Sequence, residues 1–167
     1  GNSSYGTAIV GTVSGTSISF GTAVVFETAE VQDVAITFDS NSNKIVIAYA
    51  DEGNSSNGTA IVGTVSGTTI SFGTAVVFDG NTVAISATFD SNSNKVVIAY
   101  SDIGNSNYGT AIVGTVSSTS ISFGTAVVFE SANAATIKST FDSNSNKVVI
   151  AYKDVGNSYY GTAIIGT

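Results

Sequence analysis

The chain has 167 residues, of which 43% are apolar and only 10% are charged, and its formal net charge is −7. Five Lys and no Arg argue against nucleic-acid binding and a polybasic membrane site, because both require clustered basic side chains. The absence of Cys and His excludes disulfides, thiolate metal sites and a Ser-His-Asp triad.

Two sequence blocks recur along the chain. Residues 6–27 read GTAIVGTVSGTSISFGTAVVFE, and residues 58–79 and 109–130 repeat them with few changes. The second block reads FDSNSNK and continues as an apolar run ending in Ala-Tyr. Its copies begin at Phe38, Phe89 and Phe141. The period of 51 or 52 residues is typical of solenoids, propellers and other repeat arrays.

The first half of a repeat predicts two strands joined by a turn. Residues 34–38 alternate in polarity, which predicts a strand. Residues 39–43, DSNSN, predict a turn, because short polar side chains bond to their own backbone. Residues 44–49 are a β-branched run that is apolar on both faces, which predicts a strand buried on both sides.

The second half of the repeat predicts a loop and two more strands. The loop covers residues 51–58, and the third strand covers residues 59–65. A tight turn leads to a fourth strand at residues 68–78, with a kink at Gly73. No stretch has a helical period and none approaches the ~18 apolar residues of a transmembrane helix, so we expect an all-β chain without membrane insertion.

The copies differ at a few equivalent positions. The tight turn has Gly67 in one copy and Ser118 in the next, so we expect a position that does not strictly require glycine. The predicted connections between copies vary most, at residues 27–33, 79–84 and 130–136. Beside them, one strand position holds Ala35, Ser86 and Lys138, which in a propeller would line the central channel.

Four antiparallel strands every ~50 residues are typical of a β-propeller blade. The expected fold is therefore a tandem array of four-stranded, propeller-like blades. A stacked β-sheet fibre and a parallel solenoid are the alternatives. The predicted units are residues 1–30 (a partial blade with strands 3 and 4), 31–79 and 80–130 (blades), and 131–167 (a partial blade with strands 1 to 3).

The strand count predicts association. The chain opens with a third strand at residues 6–13 and closes with another, which gives about three blades and one strand. Residues 1–12 and 156–167 are almost the same peptide. Three blades are too few for a closed propeller. Either copies of the chain associate as a homo-oligomer or filament, or the chain is a window on a longer array.

The turn at residues 39–43 is similar to the opening of a calcium loop, where oxygen atoms at alternate positions surround the cation. The candidate ligands are Asp39, Asn41, Asn43, Asp90, Asn92, Asn94, Asp142, Asn144 and Asn146. The sixth position is Lys rather than Gly, and Asp51 lies ~23 Å further along a strand. These features favour a hairpin turn with Asx caps, so no cofactor is expected and calcium is the alternative.

The second loop of each copy offers an acid, an amide and a Gly backbone, usually with a Tyr. Carboxylates and amides bond sugar hydroxyls, and an aromatic face covers sugar C–H surface, so this loop type predicts a glycan site. The candidates are Tyr5, Asp51, Asn54, Asp102, Asn105, Tyr108, Asp154, Asn157, Tyr159 and Tyr160. The alternative is a structural loop whose Tyr covers a blade edge. N-glycosylation sequons lie in the same loops, at Asn2, Asn54 and Asn57.

Catalysis is not expected. The acids Asp39, Asp90, Asp142, Asp51, Asp102 and Asp154 recur at equivalent turn positions, whereas an active site normally breaks the symmetry of a repeat. Paired carboxylates for glycoside hydrolysis are the formal alternative.

At GTAIVGTVSGTSISFGTAVVF and FDSNSNKVVIAY the chain resembles tandem repeats of phage tail-fibre and bacterial surface proteins. The resemblance covers all the repeats and departs at Ala75, where such repeats carry Pro. It implies a location outside the cell, on a virion or on a cell surface, in fibres or adhesins that present or space a binding surface. Two functions follow: a non-enzymatic module that recognises surface glycans, or a purely structural fibre that carries sugars covalently.

Overall fold

The computed structural model of the chain describes residues 4–166. Within that range the chain is all-β, as predicted, and its strands pair antiparallel. The 3-10 turns Glu52–Asn54 and Ile103–Asn105 are its helical segments, and neither could cross a membrane. The strands are β1 (Tyr5–Ala8), β2 (Gly11–Ser14), β3 (Ser17–Phe20), β4 (Val24–Asp39), β5 (Lys44–Asp51), β6 (Asn57–Ser66), β7 (Thr69–Phe72), β8 (Val76–Asp90), β9 (Lys95–Asp102), β10 (Tyr108–Ser117), β11 (Ser120–Phe123), β12 (Val127–Asp142), β13 (Lys147–Asp154) and β14 (Tyr160–Gly166).

One large sheet contains most of these strands. Its order is β1-β4-β5-β6-β8-β9-β10-β12-β13-β14, with β7 paired to β6 and β11 paired to β10. The hairpin β2–β3 is a separate two-stranded sheet. Since β1 and β14 end the order, the sheet does not close on itself within residues 4–166.

The long strands β4, β8 and β12 each pair in two places. Residues 76–81 of β8 pair with β6, and residues 82–90 pair with β9. A bulge at Ala84, where φ is 55°, lies within the half that pairs with β9, two residues after the change of partner. The prediction of connecting loops was wrong at residues 27–33, 79–84 and 130–136. These segments are strand because their backbone pairs first with a strand of the preceding unit and then with a strand of the next unit. The predicted unit boundaries after residues 30, 79 and 130 fall inside the same strands.

The half-strands divide the fold into four units. Unit 1 contains β1, β2, β3 and the first half of β4, and unit 2 contains the second half of β4, β5, β6, β7 and the first half of β8. Unit 3 repeats this pattern from β8 to the first half of β12. Unit 4 contains the second half of β12, β13 and β14.

Neighbouring units pack face to face, and the core lies between them. At the joint of units 1 and 2, the Phe26 ring centroid lies 5.2 Å from that of Tyr49 and 5.7 Å from that of Phe72. The same two distances recur between units 2 and 3 in the triad of Phe78, Tyr100 and Phe123. The two joints are therefore equivalent.

The second strand of unit 2, β5, is buried on both faces, as predicted for residues 44–49, whereas Ala151 and Lys153 of the equivalent strand β13 are exposed. Ile47 and Tyr49 of β5 pack toward unit 1, while Val46 and Ala48 belong to the core shared with unit 3. All four side chains are buried. Both faces are apolar because each is covered by a different unit.

The predicted fourth strand is broken rather than kinked. β7 ends at Phe72 and β8 begins at Val76, and the Gly73 N–H donates a hydrogen bond of 2.9 Å to the Val62 carbonyl. A Cβ on Gly73 would lie 1.8 Å from the carbonyl oxygen of Thr119 in unit 3. Glycine is needed here because two backbones meet.

The predicted third strand at residues 6–13 is also broken, into β1 and β2. In β6 the equivalent stretch is held by pairs such as Ile47 with Ile61 and Val46 with Val62. The first copy has no strand equivalent to β5 among the described residues, so Ile9 stays outside the ladder.

The tight turn takes a left-handed residue in every copy. Gly15, Gly67 and Ser118 have φ values of 60°, 59° and 58°. The expectation that glycine is dispensable was only partly right, because Ser118 adopts the conformation that glycine favours.

Candidate functional site

The turn predicted as a calcium loop is closed by its own groups. Asp39 Oδ1 accepts hydrogen bonds from the backbone N–H groups of Asn41 (2.9 Å) and Ser42 (3.1 Å). Asp39 Oδ2 accepts one from the Ser42 hydroxyl (2.7 Å). Asn43 completes the turn with a φ of 56°. The Asp39 carboxylate thus stabilises the turn that it begins.

The other two copies of this turn have the same arrangement. Each Asp accepts a hydrogen bond from the N–H two residues later, and each second Asn has a positive φ. These residues are Asp90, Asn92, Asn94, Asp142, Asn144 and Asn146. Among residues 4–166, no group of three or more acidic, His or Cys side chains could hold a metal ion.

The predicted loop acids support their own loops. Asp102 Oδ1 accepts the Asn105 N–H at 3.1 Å, and Asp154 Oδ1 accepts the Asn157 N–H at 3.0 Å. Burial raises the pKa of Asp51 above its usual range. The pKa of Asp102 is raised by burial as well. A second carboxylate near each one raises its pKa further.

That second carboxylate belongs to a hydrogen-bonded pair that the sequence analysis missed. In each repeat the hydroxyl of a buried Tyr donates to an acid at the start of a long strand. The pairs are Tyr49–Glu27, Tyr100–Asp79 and Tyr152–Glu130. The distance is 3.3 Å in the first pair and 2.8 Å in the third. The recurring sequence separation of 22, 21 and 22 residues was the available signal.

The acid of each pair also holds the backbone beside it. Glu27 Oε1 accepts the N–H groups of Thr28 (2.7 Å) and Ala29 (3.0 Å). Burial and the partner Glu130 raise the pKa of Tyr152 to about 12. Each pair therefore connects the first half of a long strand, which passes from one unit into the next, to the second strand of that next unit. The Tyr hydroxyl is protonated at neutral pH.

The predicted aromatic residues differ in exposure. Tyr159 and Tyr160 are each 64% exposed, whereas Tyr5 is 39% exposed and Tyr108 is half-buried. The Lys153 ammonium lies 5.3 Å from the centroid of the Tyr159 ring. The predicted amides are all on exposed loop positions: Asn54, Asn105 and Asn157. Among the loops in the described range, the one that ends at Tyr160 presents the most aromatic surface.

The sequons occupy different environments. Asn54 is exposed at the end of a 3-10 turn. Asn57 is half-buried and pairs with Asp51 at the start of β6, and its carbonyl accepts a hydrogen bond of 3.1 Å from the Thr59 hydroxyl. Asn2 lies outside the described residues.

The bulges of the three long strands surround a polar cavity of about 350 Å³. Its lining residues are Asp33, Val34, Ala84, Ile85, Thr136, Ile137 and Lys138. The Ala84 N–H donates a hydrogen bond of 2.9 Å to the Asp33 carboxylate of the preceding repeat. Equivalent bulges thus lie next to one another along the array.

The variable strand position lies beside this cavity. Ala35 packs against the core between units 2 and 3, and the Ser86 hydroxyl lies 3.0 Å from that of Ser139. Lys138 is exposed and lines the cavity.

No family model matches the chain, and neither a curated protein nor a solved structure is similar to it. The chemistry of the site must therefore be inferred from its own residues. The acids held by turns and by Tyr hydroxyls stabilise structure, and the exposed loops present amides and aromatic rings at the surface.

Proposed function

We propose that the chain is a non-enzymatic, extracellular repeat module whose role is structural, building a fibre or filament from copies of itself. The observation that carries this proposal is the equivalence of the joints, because the aromatic triad recurs with centroid distances of 5.2 and 5.7 Å. The engagement of the recurring acids in turns and Tyr pairs also supports a scaffold.

We infer further that the units are propeller-like blades. Unit 2 and unit 3 each have four antiparallel strand positions in sequential order, and the fourth position consists of two segments, which in unit 2 are β7 and the first half of β8. The second halves of the long strands lie side by side around a cavity, as inner strands do around a propeller axis. A flatter stack of sheets is the alternative.

The surroundings that suit this module are outside the cell or on a virion or cell surface. Ser, Thr, Asn and Gly cover much of the surface, and the sequon at Asn54 is accessible to a glycan. The resemblance to tail-fibre and surface-protein repeats agrees with this location.

Light scattering and electron microscopy of the pure chain at rising concentration test the structural role. We expect particles of several copies, in rings or filaments. A single-chain mass at every concentration would refute it.

A second candidate function is recognition of surface glycans, and the exposed pair Tyr159 and Tyr160 favours it. On a glycan array, Tyr159→Ala and Tyr160→Ala should each abolish binding, whereas Tyr152→Phe, a change to a buried ring, should not. Binding that survives both alanine variants, or no binding by the parent chain, would leave the structural role alone.

A further inference from the structure

A groove beside β14 repeats the lining of the core between units 1 and 2. The groove residues Ala111, Phe129, Val148, Ile150 and Ile164 are equivalent to Ala8, Phe26, Ile45, Ile47 and Ile61 of that core. The core between units 1 and 2 also contains Phe72. Within residues 4–166 the groove has no equivalent of Phe72, and its volume is about 480 Å³.

The missing side chain is present at the other end of the chain. Phe20 of β3 is the equivalent of Phe72, and it is 61% exposed. Ile18 beside it is 54% exposed, although its equivalents Ile70 and Ile121 are buried. The β2–β3 hairpin therefore presents the apolar groups that the groove lacks.

The strands at the two ends also match. Residues 156–167 repeat residues 1–12 with two differences, and the YGTA sequence of β1 recurs at the start of β14. β14 ends at Gly166, the equivalent of Gly11, where β2 begins. β14 followed by β2 would thus reproduce the continuous third strand seen in β6.

We propose that two copies of the chain join end to end through these elements. β14 of one copy takes the place of β1 in the next, and the β2–β3 hairpin of the next copy seats Phe20 on Phe129 in the groove. This inference rests on the proposed structural role and specifies its joint. At the joint the third strand is β14 followed by β2, and it pairs with β13 on one side and with β4 of the next copy on the other. In the single chain, β1 pairs with β4 alone. The joint also covers Val34, Ile36 and Phe38, which are exposed in unit 2.

The joint is heterologous, so it can propagate from copy to copy. One position differs from the internal joints. Ser86 contacts Ser139 between units 3 and 4, and the corresponding contact at the new joint brings Lys138 to Ile36 of the next copy. A charged side chain weakens an apolar contact, so Lys138→Ser should strengthen association.

Two measurements on the 167-residue chain test the joint. In light scattering, Phe20→Ala should weaken association by about thirtyfold, as loss of a central aromatic contact does. Ser19→Ala is the control, because Ser19 is exposed in the same hairpin and its equivalents Ser71 and Ser122 are exposed inside the array.

The second measurement uses the absence of cysteine in the chain. Ala8 lies opposite Val24 in the β1–β4 ladder, and Ala163 of β14 is the equivalent of Ala8. When β14 of one copy replaces β1 of the next, Ala163 therefore lies opposite Val24 of that next copy. Mixing an Ala163→Cys chain with a Val24→Cys chain under oxidation should give a disulfide-linked heterodimer. A Thr28→Cys chain, substituted outside that register, should crosslink with Ala163→Cys much more slowly.

The outcomes separate this inference from the proposed function. Association with no Phe20 effect, or with equal crosslinking of the Val24→Cys and Thr28→Cys chains, overturns the joint and leaves the structural role. A parent chain that stays single at all concentrations overturns both.

Discussion

The Tyr152 hydroxyl donates a hydrogen bond of 2.8 Å to the carboxylate of Glu130, 22 residues earlier in the chain. It joins the first half of β12 to β13, and equivalent bonds occur in the two preceding repeats. In β8 the variable segment at residues 79–84 is one residue shorter than the equivalent segments 27–33 and 130–136. It carries the shorter acid, Asp79, whose carboxylate still accepts the hydrogen bond from Tyr100.

Removing one of these hydroxyls should destabilise the fold. Tyr100→Phe should lower the free energy of unfolding by about 1.5–3 kcal/mol, because it removes a hydrogen bond to a charged group. Tyr160→Phe, on an exposed ring, should change it by less than about 0.5 kcal/mol. Denaturant unfolding measures both, and equal effects would contradict the role of the pair.

The loop acids predict a pH dependence of stability. The pKa of Asp102 is raised by burial and by Asp79, so its stabilising contribution is present below its usual pKa of 3.8 and is lost as the pH rises through the raised pKa. Asp102→Asn stays neutral, so its stability relative to the parent should increase between about pH 3 and 7.

Asp142 supplies the matched comparison. The Ser145 hydroxyl lowers the pKa of Asp142, so its contribution is present above the usual value and is lost as the pH falls through the lowered pKa. Asp142→Asn should therefore lose stability relative to the parent as the pH rises. The same sign for both variants would refute this assignment.

Thr82 is a buried residue whose hydroxyl has no hydrogen-bond partner among the described residues. Its equivalents are Val31 and Ala134. Thr82→Val should raise the free energy of unfolding by about 1–3 kcal/mol, because it removes an unsatisfied polar group from the core. Thr59→Val should lower it by about 1 kcal/mol, since the Thr59 hydroxyl donates to Asn57. Thermal or denaturant melts that show no gain for Thr82→Val would count against this account.

Ser118 occupies a left-handed turn position with a φ of 58°. Ser118→Gly should stabilise the chain by about 1 kcal/mol, because glycine adopts this conformation without steric cost. Ser117→Gly, one residue earlier at the end of β10, should destabilise it by about 0.5–1 kcal/mol. The two melting curves should move in opposite directions.

Equivalent glycines should respond differently to alanine. Gly73→Ala should destabilise the fold by about 3 kcal/mol, since its Cβ would meet the Thr119 carbonyl. At Gly124 the nearest described atom to such a Cβ is 3.8 Å away, so Gly124→Ala should leave the melting curve unchanged. At the proposed joint Gly124 faces Thr16 of the next copy, so this variant should associate more weakly in light scattering.

Much of the fold was predictable because its signals are local. The DSNSN turns and the run at residues 44–49 gave the first hairpin, since both depend on adjacent residues. The continuity of β4 was not predictable, because its polar residues 27–33 are extended only through pairing with two different units.

The candidate site likewise contains a part that was predictable from the sequence and a part that was not. The exposed loop at Tyr159 and Tyr160 was found from its composition. The bond between Tyr49 and Glu27 was missed, because each residue fits a different local role: Tyr49 ends an apolar strand, and Glu27 begins a variable segment. The crossover that brings them together depends on the packing of two units.

Because β4, β8 and β12 run from one unit into the next, neighbouring units share a strand where most multidomain chains have a linker. A pulling force along the array would therefore act directly on hydrogen-bonded sheet. Each repeat that opens would release 51 or 52 residues, about 170 Å of extended chain. Under tension, a fibre of the kind proposed would lengthen in equal steps as its sheets unfold one at a time.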